Sequence, residues 1–441
     1  MNYLETFVKS KLLNNKNWIF PPQLSKKNVQ VLKSVYTQLL LNKNGWKSCI
    51  RSTKNIGNVK DFLNDHSVKM LEDESMKFAK DAVEQQLKYG IMYTLQFDER
   101  EVCVYLIFPK YVGEEMVEKR YLWKIVVWLK MATQYAKSNC AKHLDVYLFL
   151  TNLKKTLPTS QLLLNRIHVN TAFTTPCTGE TDIMLYRYEE WFKVLIHETF
   201  HCLGLDFSNM DNAKSNRGIL DLFQHCDPKT DIRLSETYCE VWAEVLNVLF
   251  YENGRKYTKS PKYIGNGKMK SRKLEKMKPI AKSKTYKKIN REVNEWSKIE
   301  TRVLKQLMME QAFSLYQSVK VLEFNGLKYP ELCDGHPHIP KYMEETQVLS
   351  YFVIKGILLF YLDEFMNWCA KYNTNQFQFT QTPEVVQKYV ELVENKYLEK
   401  GLLKNMDWIS KGFFENSQKN DSHMDTRVRD TMRMTVTNND V

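Results

Sequence analysis

The five residues His197-Glu198-Thr199-Phe200-His201 constrain this 441-residue chain more than any other stretch. Four residues on a helix turn through about 400°, so the two histidines fall within roughly 40° of each other and about 6 Å apart along the axis. The flanks favour that helix: Val194, Leu195 and Ile196 lead in, Cys202 and Leu203 follow, and no proline interrupts. Two imidazoles on one face of an apolar helix have the spacing of ligands converging on one metal ion, with Glu198 directed at a water bound to it. The plain alternative is a core helix whose histidines merely fill polar positions.

Two histidines do not by themselves hold a hydrolytic metal, so a third ligand decides the class. Gly204 breaks the helix locally, and the position three residues beyond it is Phe207, which cannot bind metal; Asp206 stands one residue short. The other source is Ser235-Glu236-Thr237-Tyr238-Cys239-Glu240-Val241-Trp242-Ala243-Glu244. Ser235 can cap a helix, after which Glu236, Glu240 and Glu244 recur every four residues on one face. Stacked carboxylates repel unless a cation sits among them. A solvated acidic stripe is the ordinary reading, but Val245, Leu246, Val248, Leu249 and Phe250 continue the helix as core.

This pattern resembles the gluzincin-type zinc metallopeptidases, in which a second helix supplies a glutamate ligand and Glu-x-x-Ala-Asp/Glu recurs; Glu240-Val-Trp-Ala-Glu244 fits it. The longer string from Glu189 through the two histidines to Gly204-Leu-Asp-Phe-Ser208 resembles metallopeptidases of large double-stranded DNA viruses. The resemblance covers roughly residues 165 to 250. It implies His197, His201 and Glu240 as zinc ligands, Glu198 as catalytic base, and Glu244 as the acceptor orienting an imidazole. Glu236 competes with Glu240 for the ligand position. Such a centre hydrolyses a peptide bond through an activated water, Glu198 relaying the proton. A donor to the oxyanion is also needed. His338 is favoured for it over His336, Tyr342 and Tyr351, with Arg187 a further electrophile.

The surroundings suit an α+β, zincin-like, two-lobed fold with a mixed sheet, an active-site helix and a mostly helical C-terminal lobe. Glu101–Phe108 and Asp145–Thr151 have strand composition, Arg166–Thr174 reads as an edge strand able to pair with a peptide, and Lys119–Lys137 as a helix behind the sheet. The expected division is an N-terminal accessory region, mainly helical, over 1–95, a catalytic lobe over 96–254, a flexible basic insertion over 255–295, a helical lobe over 296–415 and a disordered tail over 416–441.

Charge singles out the insertion. Arg255 to Arg291 holds fifteen Lys or Arg against Glu275 alone, a net +14 that exceeds the +13 of the whole chain. A nucleic acid or other polyanion is a natural partner for it, and a solubilising loop an equally ordinary use. Val348–Leu362 carries Lys355 and is too short to span a membrane. Nine cysteines without a Cys-x-x-Cys pair, and no basic-then-apolar start, favour free thiols in a reducing intracellular compartment, the host cytoplasm, with the viral resemblance adding packaging in the virion. The expected function is thus a zinc-dependent peptidase acting on protein substrates. The alternatives are a non-catalytic virion or nucleic-acid-associated protein with a structural metal, and a zinc hydrolase of a non-peptide amide.

Overall fold

The computed structural model describes residues 2–56, 71, 73–159, 163–255, 296–334, 338–339, 341–415 and 426–439. The elements that position the site are, in chain order, α1 (Lys26–Lys43), β1 (Ile50–Ile56), α2 (Lys77–Gln86), β2 (Tyr89–Phe97), β3 (Arg100–Phe108), α3 (Trp123–Ala132), β4 (His143–Phe149), α4 (Arg166–Val169), β5 (Ala172–Thr174), β6 (Glu180–Leu185), α5 (Trp191–Cys202), α6 (Leu234–Gly254), α7 (Trp296–Phe324) and α8 (Lys355–Phe360). The fold is mixed α+β.

One sheet runs in the order β1-β2-β3-β4-β6-β5. β1, β2 and β3 are antiparallel, β3, β4 and β6 are parallel, and β5 closes the edge antiparallel to β6. Alternation along the strands builds two different faces. Val102, Val104, Leu106, Val146, Leu148, Ile183 and Leu185 face the main core, where Ile125 and Trp128 of α3 and Leu195 and Ile196 of α5 meet them. Ile107, Tyr147, Phe149 and Met184 point the other way, against Ala79 and Val83 of α2. Burying each such aliphatic side chain contributes about 1.5–3 kcal/mol. α5 packs on β6, β5 and α6, and α7 crosses α6 and α8.

Several expectations need correction. Residues 1–95 are not an accessory region: β1 and most of β2 lie within them and belong to the sheet, β1 pairing with β2 and β2 with β3. The stretch Arg166–Thr174 is not one strand. Asn165 caps the short α4 through a capping box with His168, leaving Ala172–Thr174 as the part that pairs as strand. The tail is not disordered throughout. Residues 426–439 run through the interior, with Val428, Met432, Met434 and Val436 buried. Their backbone polarity is met by charged acceptors: Glu310 takes N–H groups of Val436 and Thr437 at 2.9 and 2.8 Å.

Cys140 and Cys177 form a disulfide, against the expectation of nine free thiols; the other seven cysteines are buried and free. The two partners come from loops 37 residues apart in sequence, which meet only when β4 and β6 pair. The basic stretch beyond Arg255 lies outside the described residues, as do 416–425 of the tail. Among the described residues no helix is long and apolar enough to cross a membrane.

Candidate metal centre

Both ends of α5 are fixed. Its first turn follows Glu190, whose φ of 63° is in the left-handed region that residues with a Cβ rarely adopt. That turn is held by the Glu190 carboxylate, which accepts from Lys155 Nζ at 2.8 Å and from the backbone N–H groups of Met434 and Thr435 at 2.8 and 2.7 Å. Burial alone would push this carboxyl up, but Lys155, Arg433 and Lys193 outweigh it and hold it at about 2. The far end closes in a Schellman motif: Gly204, at φ 66°, donates to the His201 carbonyl at 3.1 Å, and Leu205 donates to that of Phe200 at 2.9 Å. A Cβ on Gly204 would sit 2.9 Å from Cys140 Sγ, so the disulfide packs directly on this turn.

Between those ends, His197 and His201 project to one side with their Nε2 atoms 3.1 Å apart. Oε2 of Glu236, in the first turn of α6, lies 2.9 Å from His197 Nε2 and 3.3 Å from His201 Nε2. The other ring nitrogens face carboxylates as well. Asp206 Oδ2 is 2.6 Å from His201 Nδ1, and Ser208 Oγ donates to Asp206 Oδ1 at 3.1 Å. Glu240 Oε1 is 2.8 Å from His197 Nδ1, off the line of a ring N–H. Glu240 also accepts from Lys193, a buried cation one turn before His197 on α5. Burial opposes charging His197, yet Glu236 and Glu240 outweigh it and pull the imidazole up to about 9. Burial pushes the Glu198 carboxyl above its usual range.

The geometry therefore gives the position facing both Nε2 atoms to Glu236, not to Glu240 as the resemblance implied. Glu240 takes the orienting place expected of Glu244, and Glu244 instead meets Lys355, whose Nζ is 3.3 Å away. The whole glutamate series is shifted by one turn. Ser235 does not cap α6; Arg233 occupies the cap position and forms no side-chain cap.

The triad opens on a cleft of about 710 Å³, lined also by Glu198, by Ala172, Phe173 and Thr174 of the sheet edge, and by Tyr351. Tyr351 stands with its ring 6.3 Å from that of His197. His338, favoured from sequence as the oxyanion donor, is corrected: it sits in an exposed turn, where its ring faces solvent, and does not line the cleft. Tyr342 is buried elsewhere and donates to Glu344 at 2.6 Å. His336 lies outside the described residues. Arg187 is buried and donates to the carbonyls of Lys154 and Ile167, so it braces loops and does not face the cleft.

Sequence reasoning missed Asp206 and Lys193 as partners of the histidine shell. The signal for Asp206 was present in a carboxylate just after the glycine break; Lys193 showed itself only as a lone charge four residues before His197. Comparison with protein-family models, curated proteins and solved structures found no match for this chain.

Proposed function

We propose that this protein is a zinc-dependent peptidase of gluzincin-like, zincin-type architecture, with His197, His201 and Glu236 as the metal ligands. The observation that carries the reading is the convergence of two Nε2 atoms and one carboxylate oxygen within 3.3 Å while Asp206 and Glu240 face the opposite ring nitrogens. Two nitrogens and an oxygen are the donor set zinc takes in hydrolytic sites; Asp206 behind His201 fixes the tautomer that leaves its Nε2 lone pair free, and Glu240 lies beside Nδ1 of His197. When bound, zinc supplies a Lewis acid and a water nucleophilic at neutral pH.

The remaining chemistry belongs to the chain. Glu198, on the same helix and lining the cleft, accepts the proton of the attacking water and passes it to the departing amine. On this reading Tyr351, which lines the cleft near His197, donates its hydroxyl to the developing oxyanion. β5 is an edge strand of the sheet among the described residues, and on this reading an extended peptide adds to it as a further strand, laying its backbone along the cleft. The substrate on this reading is a protein or peptide.

Glu198→Gln tests the reading. Wild type and variant are expected to hold the same zinc, with the variant slower by about 100- to 10,000-fold on a peptide library. Zinc in both proteins with no cleavage by either would favour the non-catalytic alternative; cleavage only of small amides would favour the non-peptide hydrolase.

A further inference from the structure

The outer face of the sheet, opposite α5, carries a second group of ligand-type side chains. Glu101 and Cys103 on β3 stand in register with His143 and Asp145 on β4. One ligand atom each of Glu101, Cys103 and His143 lies within 4.8 Å of the others. Glu101 Oε1 is 3.3 Å from His143 Nδ1 and Asp145 Oδ1 is 3.7 Å from His143 Nε2. The Asp145 Oδ1 atom is shut off from solvent and accepts no hydrogen bond among the described residues. A buried carboxylate oxygen without a donor is costly unless a positive charge is near it.

We propose that Glu101, Cys103 and His143 bind a second transition-metal ion of the zinc class, through Sγ, Nδ1 and a carboxylate oxygen. Asp145 then orients the ring by accepting from Nε2–H. Thiolate, imidazole and carboxylate together select a borderline-soft divalent ion over calcium or magnesium. Cys103 is buried at the floor of the group, on a rigid strand, while the Glu101 and His143 side chains are about half exposed and free to close the last ångström onto the ion. Binding releases the Cys103 thiol proton to solvent. The site is independent of the peptidase reading, because it shares no residue with that centre and lies on the other side of the sheet.

Cobalt distinguishes the two, since a thiolate ligand gives an intense near-ultraviolet charge-transfer band that histidine and carboxylate do not. Full-length wild type titrated with Co²⁺ is expected to show that band. Cys103→Ser and His143→Gln should lose it and one metal equivalent while keeping peptidase activity. Asp145→Asn should weaken that affinity about 10- to 100-fold. Glu236→Ala and Cys239→Ser, which alter the cleft centre and the thiol nearest to it, should leave the band in place. Wild type without the band, or a band that survives both Cys103→Ser and His143→Gln, overturns the proposal. Loss of the band with Cys239→Ser would overturn it too, since the thiolate would then belong to the other centre.

Discussion

Glu236 and Glu240 stand one turn apart on α6 and meet the same imidazole from its two nitrogen sides. Removing each should therefore do different damage. Glu236→Ala takes away a donor and is expected to abolish tight zinc binding. Glu240→Gln keeps the donors but loosens ring orientation, weakening zinc by about 10- to 100-fold. Chelator competition on both variants checks this, and a larger loss for Glu240→Gln would reverse the assignment. The same carboxylates set a pH dependence. In the metal-free protein His197 keeps its proton up to about pH 9, and zinc must displace it. Apparent affinity should climb with pH through the neutral range and level off above that value. A flat profile below it would show that the ring is already neutral.

Elements set which residues face which. Every turn of α6 advances about 5.4 Å, and the three glutamates share a face, so their sequence spacing is identical. Only the crossing of α6 over α5 decides which one reaches the Nε2 atoms, and crossing angles are not written in either helix alone. That is why the pairing of the two histidines was legible and the choice of glutamate was not. β3 and β4 showed themselves by β-branched and aromatic content, whereas Glu180–Leu185 did not: its first residues are polar and its remainder is a short apolar run buried on both faces. The ends of α5 are testable at this scale. Gly204→Ala forces a Cβ into the left-handed region, at about 1–2 kcal/mol, and against Cys140 Sγ. Its melting temperature should fall, and an unchanged melt would mean the turn is looser than its contacts indicate. At the other end, Glu190 has its carboxyl depressed, so its stabilisation is complete above the ordinary value of 4.5 and is lost as pH falls toward 2. Glu190→Gln should accordingly be less stable than wild type at neutral pH, with the gap narrowing as acid is added. Denaturant melts across that range would show it, and a gap that widens in acid would contradict the sign.

At the scale of the whole molecule, buried charges join the centre to the rest of the chain. Lys193 touches Glu240 and lies 3.7 Å from Met434 Sδ, while Lys355 reaches Glu244, Ser314 and the Met434 carbonyl. Residues 426–439 are thus a structural member, though their polar composition read as a loose tail. Polarity misled because Glu190 and Glu310, both buried, supply acceptors that water would otherwise provide. Truncation after residue 425 is expected to strip Glu310 of its donors from residues 435–437 and leave Glu190 with Lys155, at about 1–3 kcal/mol for each group left unsatisfied. It should broaden or abolish cooperative thermal unfolding seen by circular dichroism. A truncated chain that melts as sharply as the full one would show the segment to be dispensable.

That threading has a temporal meaning. A ribosome that has released 425 residues has already delivered both imidazoles and Glu236, yet not the stretch that satisfies the first turn of their helix. The first turn of α5 thus gains its last hydrogen-bond donors well after the helix itself has been translated. On the peptidase reading, full cleavage activity is expected only once residues 426–439 have been drawn inside.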